Sequence, residues 1–415
     1  MRIRFDALLF LSFLTLVSLF SGSCKGPKLA EADAQFDRGE YFNASKTYKA
    51  VYNKLHPKND RETRARVAYQ LANCYRRLNM APNASAAYQN AIRYEYPDST
   101  AFYWLGRSLQ AEGKYQPAID AYSKFLEWSP DDALAKEGIR GCRMAIRAKE
   151  GKRSRYIVKS AKLFNSRRSD FSPMYLDKDL NTIYFTSSTE KATGTNRSEI
   201  TGTKKSDIFF SKKDENGRWG RPEPAEGSLN TEHDEGIVSF SPDGQTMYLT
   251  VARRAPEADT SVEIYTSQRS DASWSEPQKF EITADTLSAY GHPAVSPDGI
   301  YLYFSSDMPG GYGGKDIWRI NLKERSGSLE NLGPQINTAG DEMFPYLRND
   351  TTLYFSSDGH PGFGGLDLFI ARQNSTRDRW SIENMGLPMN SPGDDFGITF
   401  GTGESGFYSS NRGDA

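Results

Sequence analysis

Pairs of neighbouring acidic residues recur in the C-terminal part of the chain, and two carboxylates at a suitable distance could do chemistry. The pairs are Asp234-Glu235, Asp341-Glu342 and Asp394-Asp395. Glycosidases hold two carboxylates roughly 5 to 9 Å apart, and carboxylate oxygens also bind calcium. Repetition argues against catalysis, because an active site needs one unique pair whereas a structural role needs the same residue in every repeat. We interpret the pairs as caps of turns that accept local amide hydrogen bonds, with calcium binding or catalysis as the alternatives.

Two glycine-rich loops, 309–314 and 361–365, have only a superficial likeness to phosphate-binding loops. Neither ends in Gly-Lys-Ser/Thr, and neither lies between a strand and a helix, as a P-loop must. They recur 52 residues apart, which indicates turns of a repeated unit, each carrying an aromatic residue. The four histidines lie far apart and never flank a cysteine pair, so the sequence predicts no metal site. No nucleophile motif is present either, and we predict a protein without catalytic activity or cofactor.

Residues 1–23 have the pattern of a secretory signal peptide. Arg2 and Arg4 precede an apolar run of thirteen residues, 8–20, and small residues follow. The run is too short for a comfortable membrane span. Cys24 directly after the small residues resembles the lipobox of bacterial lipoproteins, in which the thiol is acylated, although Ser21 stands where an aliphatic residue is commoner. We predict lipidation of Cys24, with simple cleavage beside a chance cysteine as the alternative.

The helical part of the sequence, 25–149, contains a repeat of about 34 residues. Tyr88 and Tyr122 are 34 residues apart, which is the period of tetratricopeptide repeats. A first copy, around Tyr48, is offset by 40 residues, and 132–147 fits a capping helix. The pattern therefore resembles a tetratricopeptide α-solenoid of three repeats and a cap, in which each unit buries its apolar face against its neighbours.

The resemblance to tetratricopeptide scaffolds implies a concave groove that holds a peptide or a helix of a partner. The positions that would face this groove are polar and aromatic, and such side chains are suited to anchoring a partner. They are Arg66, Tyr69, Asn73, Arg76, Thr100, Tyr103 and Arg107. The alternative is a spacer whose basic face is solvated. Cys74 and Cys142 lie in helical patterns, and we interpret them as buried thiols, with a disulfide as the alternative.

Beyond a charged linker at 150–156, helical periodicity gives way to short alternating strands. Units of about 50 to 65 residues recur, each with an aromatic pair before a serine doublet, as in Tyr354-Phe355. Four short strands per unit form one blade of a β-propeller, which we predict over 157–415. Five inner hairpins indicate five blades with an incomplete last one, and 156–164 is expected to supply its outer strand. The fold class is thus an α-solenoid followed by an all-β propeller.

The net charge of −1 hides an asymmetry between the two parts of the chain. Residues 25–160 carry 25 basic and 15 acidic side chains, whereas 161–415 carry 25 basic and 37 acidic ones. The two parts could dock on each other, or each could meet a partner of opposite charge. Solubility alone would also tolerate this split. Nothing in this charge pattern predicts a nucleic-acid partner.

The blade motifs, such as Ser-Pro-Asp-Gly at 296–299 and Tyr-Phe-Ser-Ser-Asp at 303–307, resemble the WD40-like PD40 repeats of TolB-type propellers. A lipobox-like cysteine, tetratricopeptide repeats and PD40 blades in this order resemble a Bacteroidota envelope family. That family includes PorE-like lipoproteins associated with type IX secretion and gliding motility. Its members often continue into an OmpA-like peptidoglycan-binding domain. None is present here, so peptidoglycan binding is implied only if such a domain follows in the native gene.

The family resemblance implies a non-catalytic periplasmic scaffold, attached to the outer membrane through its lipid anchor. The residues after Cys24 lack the acidic run typical of surface export, so a periplasm-facing anchor is expected. The implied partners are other envelope proteins, such as an outer-membrane β-barrel or secretion subunits. The alternative function is a propeller receptor for glycans or peptides, which an aromatic-lined pocket at the propeller mouth would favour.

Overall fold

The structure is a computed structural model. It describes residues 26–148, 156–193, 197–198, 200–254, 260–271, 273–285, 287–324, 328–376 and 379–413. The signal peptide, Cys24 and all but the last residue of the linker lie outside the described residues. No helix among the described residues is long and apolar enough to cross a membrane.

The N-terminal half consists of seven helices that pack in sequence order. They are α1 (Gly26–Asp37), α2 (Tyr41–Tyr52), α3 (Arg61–Arg77), α4 (Ala81–Arg93), α5 (Thr100–Ala111), α6 (Tyr115–Leu126) and α7 (Ala133–Ala148). Helices α1 to α6 form three helix–turn–helix repeats, and α7 packs on α6 as a cap. The predicted α-solenoid is confirmed.

A buried tyrosine in the second helix of each repeat explains why this sequence forms the solenoid. Tyr48, Tyr88 and Tyr122 have no exposed surface. The hydroxyl of Tyr122 donates to Gln110 Oε1 at 2.8 Å, so burial leaves no unsatisfied polar group. The ring lies so close to Gly106 that a Cβ atom there would be 2.7 Å from Tyr122 Cδ1. The small residue lets the two helices of the repeat approach each other.

The C-terminal half is a β-propeller built of antiparallel sheets. Blade 1 consists of β1 (Asp170–Tyr175), β2 (Thr182–Ser187), β3 (Asp207–Lys212) and β4 (Glu223–Pro224). Blade 2 consists of β5 (Asp234–Phe240), β6 (Thr246–Arg254), β7 (Thr260–Ser270), β8 (Ser273–Trp274) and β9 (Gln278–Lys279). Blade 3 consists of β10 (Tyr290–Val295), β11 (Tyr301–Ser306), β12 (Asp316–Asn321) and β13 (Glu330–Asn331). Blade 4 consists of β14 (Glu342–Asn349), β15 (Thr352–Ser357), β16 (Asp367–Gln373) and β17 (Trp380–Asn384), and a fifth sheet pairs β18 (Asp395–Phe400) with β19 (Gly406–Ser410).

The two-stranded fifth sheet closes the ring, because β18 contacts both β14 and β1. The innermost strand of each sheet has one residue with positive φ near the central axis. These residues are Ser172, Ile237, His292, Phe344 and Gly397. In three sheets the amide of this residue donates to a hydroxyl of the neighbouring blade, and the bond from Ser172 N to Ser409 Oγ (2.8 Å) joins the first and last sheets. The described strands therefore form four complete blades and a two-stranded fifth sheet.

The segment 156–164 does not form the outer strand that the sequence predicts, so that prediction is wrong. Its side chains nevertheless pack beside the fifth sheet. Tyr156 and Val158 contact the cluster that contains Phe400, and the Phe164 ring lies 5.4 Å from that of Phe407. Side-chain packing, rather than a ladder of backbone hydrogen bonds, holds this segment on the propeller.

Candidate functional site

The second acid of each predicted pair caps the turn that leads into the next blade. Glu342 Oε2 accepts a hydrogen bond from Thr338 N at 2.7 Å, and its Oε1 accepts from Thr338 Oγ1 and Ser357 Oγ. Asp395 is bonded in the same way to the amide and hydroxyl of Ser391. Glu235 likewise accepts from Thr231. These carboxylates hold backbone and hydroxyl groups of their own turns.

The first acid of each pair joins one blade to the next. Asp341 Oδ1 accepts from Lys315 N at 2.8 Å, and Asp394 Oδ1 accepts from Leu366 N at 2.9 Å. Asp234 makes the equivalent bond to Ser206 N. Burial raises the pKa of both Glu235 and Glu342 to about 7. The hydrogen bonds support the structural interpretation of the acidic pairs, and no group of three or more possible ligands among the described residues is placed to hold a metal ion.

The central channel of the propeller is filled by side chains. The His292 ring stacks on Phe344 with centroids 4.0 Å apart, and Phe344 lies 4.6 Å from Phe396. Burial lowers the pKa of His292 to about 3, so its ring is neutral at physiological pH. A cavity beside these rings, lined also by Ser172 and Ile237, has a volume of about 20 Å³. This is room for a water molecule, and it is far smaller than a small-molecule binding site.

The two glycine-rich loops connect the second and third strands of blades 3 and 4, as the sequence predicts for blade turns. We call 307–314 the blade-3 loop and 358–365 the blade-4 loop. In each, the amide of the aromatic residue donates to the aspartate that opens the next strand. Tyr312 N bonds Asp316 Oδ2 at 2.6 Å, and Phe363 N bonds Asp367 Oδ2 at 2.8 Å. In each loop, a carboxylate therefore already accepts the hydrogen bond of an amide that a bound phosphate would need.

The blade-4 loop inserts into the helical half. Phe363 is only 2% exposed and belongs to the same apolar cluster as Tyr115 and Cys142. Gln110 Nε2 donates to the carbonyl oxygen of Gly362 at 3.1 Å. The α7 backbone touches Gly362 at Gly141, where a Cβ atom would collide with the Gly362 carbonyl. Helices α5 and α7 thus enclose the tip of a propeller loop.

An ion pair flanks this insertion. Arg107 Nη2 lies 2.7 Å from Asp358 Oδ2, and Arg107 Nη1 donates to the Asp358 carbonyl at 2.9 Å. Burial alone would lower the pKa of Arg107, but the Asp358 carboxylate beside it raises the pKa above the ordinary value. Arg107 is 15% exposed and Asp358 30% exposed, so the charges are partly removed from water. Charge-assisted bonds of this geometry are stronger than those between neutral groups.

The turns inside all three repeats contact the same face of the propeller. Phe42 N donates to the carbonyl of Ile200 at 3.1 Å, and Asn79 Nδ2 donates to Asp394. Gly113 lies against Pro392. We call this the loop face, because it carries the loops that enter the third strands and those that join consecutive blades. The basic helical half therefore contacts the acidic β half, and docking of the two halves is the one of the three possibilities for the charge asymmetry that these contacts show.

The predicted groove residues on α3 contact other helical side chains. Arg66 pairs with Asp33 at 2.8 Å. Asn73 is buried and accepts from the Tyr88 hydroxyl. The Arg76 guanidinium lies 3.7 Å from the Trp104 ring centroid.

The predicted groove residues on α5 have equally varied surroundings. The hydroxyls of Tyr69 and Thr100 are 2.8 Å apart, which links α3 to α5. Tyr103 is buried against Phe125, and Arg107 reaches the propeller instead of an open groove. Partner binding by these seven residues stays a prediction. The sequence did not predict that Phe363 and Gly141 join the propeller to the helical half. The signal that could have indicated it was the aromatic residue between two glycines at 362–364.

Comparison with known proteins places the repeats in a recognised class. The tetratricopeptide repeat model matches residues 66–99 and 100–131. The helical half contains tetratricopeptide repeats. No curated protein matches the sequence of this chain.

Several solved structures are similar to parts of the chain. The C-terminal tetratricopeptide domain of an FK506-binding protein from Plasmodium falciparum is 15% identical, with a TM-score of 0.27, and the match covers 31% of this chain and 91% of that one. The first tetratricopeptide domain of Spaghetti, bound to an HSP90 peptide, is 19% identical with a TM-score of 0.26, over 30% of this chain and 93% of that one. A puromycin-hydrolysing peptidase of Mycobacterium tuberculosis is 12% identical with a TM-score of 0.33, over 55% of this chain and 34% of that one. No chemistry of this chain follows from these similarities.

Proposed function

We propose that this protein is a non-catalytic scaffold in the periplasm that holds an outer-membrane-associated complex together. Tetratricopeptide repeats and propellers are folds of protein–protein interaction, and both occur in this chain. The observation that carries the proposal is their docking on each other through Phe363 and the Arg107–Asp358 pair. Two interaction folds held in one orientation can bring two partners to a defined distance.

The family resemblance supplies the finer part of the proposal. We infer a lipid anchor at Cys24 in the outer membrane, facing the periplasm, and an assembly of the type IX secretion or gliding type. The partners would be envelope proteins, such as an outer-membrane β-barrel or secretion subunits. This part is supported by the motif order in the sequence.

The receptor alternative gains no support from the propeller channel. A glycan or peptide receptor of this fold would need an open pocket at the axis, yet the cavity there has a volume of about 20 Å³ and is blocked by His292 and Phe344. The recurring acids hold turns, so they do not offer a unique polar cluster to a substrate.

The test is chemical cross-linking and affinity purification of the tagged chain from its own cell envelope. The intact chain should recover a fixed set of envelope proteins, and Cys24→Ala should lose or weaken that recovery because the chain leaves the membrane. Lys28→Ala, a nearby substitution that retains the cysteine, is the matched control. The scaffold proposal fails if no protein co-purifies with the intact chain and a bound glycan or peptide is found instead.

A further inference from the structure

The blade-3 and blade-4 loops are structural copies of each other. Tyr312 and Phe363 are 51 residues apart, and each donates its amide to the aspartate at the start of the following strand. Asp307 and Asp358 also correspond, since each Oδ1 accepts an amide from the preceding inter-blade loop at 2.8 Å. The two loops thus present an aromatic side chain and a carboxylate in the same arrangement.

The surroundings of the two copies differ. Phe363 is 2% exposed between helices of the solenoid, whereas Tyr312 is 51% exposed. Asp358 binds Arg107, and Asp307 is exposed. Blade 4 shows what this type of loop binds, namely the packed helices α5 and α7. Blade 3 presents the same features with no described helix against Tyr312.

The solenoid advances around the loop face toward blade 3. The first repeat touches blade 1 at Ile200, the third touches Pro392 between blade 4 and the fifth sheet, and α7 touches Gly362 in blade 4. The next position along the ring is the blade-3 loop. A further helix stacked on α7 would therefore meet Tyr312, in continuity with the interface that already exists.

A cleft of about 280 Å³ lies at this junction. Ala133, Leu134 and the ion-paired Glu137 and Arg140 of α7 line one side, and Ala339 and Pro361 of the propeller line the other. The backbone around Ala339 packs directly on Gly313, the neighbour of Tyr312. Tyr312 therefore lies one residue from a backbone contact with the wall of the cleft.

The outer face of α7 is basic. Four exposed side chains occupy one stripe of the helix, because their spacing of four, three and four residues keeps them on the same side. They are Lys136, Arg140, Arg143 and Arg147. Lys136 pairs with Asp131 at 3.2 Å and Arg140 with Glu137 at 2.9 Å, whereas Arg143 and Arg147 have no acidic side chain within ion-pair distance among the described residues. A capping helix needs a polar outer face for solubility, but a stripe that ends in two arginines without acidic partners also favours a partner of the opposite charge.

We propose that α7, the cleft and Tyr312 form a docking surface for an acidic α-helix of another protein. The partner helix lies along α7 with its carboxylates toward the basic stripe of α7. Tyr312 packs against this helix as Phe363 packs against α5 and α7. Most helices of a second copy of this chain would fit poorly, since its helical half is basic overall. The inference rests on the proposed scaffold function and assigns one of its partner sites.

Site-specific photo-cross-linking in the cells that make the protein tests this surface. The photoreactive residue p-benzoylphenylalanine replaces Tyr312 in the full chain, and adducts are mapped by mass spectrometry. Leu287, which is 97% exposed, is the matched control position. We expect adducts from position 312 to exceed those from position 287 by about tenfold, and to map to a helical segment with acidic residues spaced three or four apart.

Charge reversal provides the second arm. The double variant Arg140→Glu/Arg143→Glu should reduce the adduct from position 312 by about tenfold, the equivalent of about 1.4 kcal/mol. Arg93→Glu, an exposed reversal on α4, should leave the adduct unchanged, and thermal unfolding confirms that both variants fold. The proposal is overturned by adducts no more frequent than at position 287, by adducts to a glycan, a strand or a second copy, or by insensitivity to charge reversal. If the envelope complex is still recovered, such a result removes this surface and leaves the scaffold function standing.

Discussion

At the scale of single residues, the acidic pairs show that repetition in a sequence indicates a structural role for a carboxylate and not a catalytic one. Their recurrence predicted turn caps, and the bonds from Thr338 to Glu342 and from Ser391 to Asp395 have that form. The sequence could not show how deeply Glu342 is buried, because Ser357 of its own blade and Ser305 of blade 3 come against it only in the folded ring. Its raised pKa is a consequence of that enclosure.

The raised pKa of Glu342 makes stability depend on pH. Burial shifts the pKa from its ordinary value of 4.5 to about 7 in the folded state. The folded protein then binds more protons than the unfolded chain between these pH values, so this group's contribution to the free energy of unfolding falls as the pH rises through them. Glu342→Gln removes the titration, and its stability relative to the unsubstituted protein should rise from pH 5 to pH 8.

Thermal unfolding of both proteins at the two pH values measures this difference. Glu276→Gln, at an exposed position, should show no comparable change. An equal effect of Glu342→Gln at pH 5 and pH 8 would show that the buried carboxyl does not titrate in this range.

The two described cysteines, Cys74 and Cys142, are free and buried, which confirms their interpretation as thiols rather than a disulfide. Burial raises the pKa of each to about 12. Because the thiolate is the reactive form, neither should react with a disulfide reagent at pH 8 in the folded protein. In a Cys24→Ala chain, we expect no reactive thiol in the native state and two after denaturation without reductant. Rapid reaction of the native protein would contradict the buried positions.

At the scale of elements, periodicity was sufficient to predict the solenoid and the hairpins, since both depend on local spacing of apolar residues. It failed for 156–164, where alternating side chains pack on the propeller without pairing in a ladder. It also failed to predict the insertion of the blade-4 loop. That contact depends on the close fit of Gly141 to Gly362, between parts of the chain that are distant in sequence.

The two copied loops give a matched pair of substitutions. Phe363→Ala removes a ring that is 2% exposed, and such truncations in a core reduce stability by about 3–5 kcal/mol. Tyr312→Ala removes a ring that is 51% exposed, and the loss should stay within about 0.5 kcal/mol. Calorimetry should therefore show a clearly lower Tm for Phe363→Ala only. Similar Tm values for the two variants would mean that Phe363 does not hold the halves together.

At the scale of the whole molecule, the charge asymmetry was visible in the sequence, but the sequence did not show what the two charged halves bind. Charge counts left open whether the halves bind each other or separate partners. The structure shows docking through Arg107 and Asp358, with Asn79 and Asp394 in a second polar contact. Whether the halves dock depends on which residues lie at the turns between helices and at the loop face. Composition does not contain that information.

If the helical half and the propeller form one rigid platform, the distance between a site in each has a single value, which spin labels can measure. Spin labels are attached to cysteines introduced at Lys49 in α2 and Gln245 in the propeller of the Cys24→Ala chain, where the buried native thiols stay unlabelled. A second pair of labels, at Gln245 and Asp350 within the propeller, gives the width of the distance distribution that is expected for a single rigid body. We predict one distance between the halves with a distribution as narrow as that of the control pair. A broad distance distribution between the halves, together with a narrow one for the control pair, would show that the two halves do not form one rigid platform.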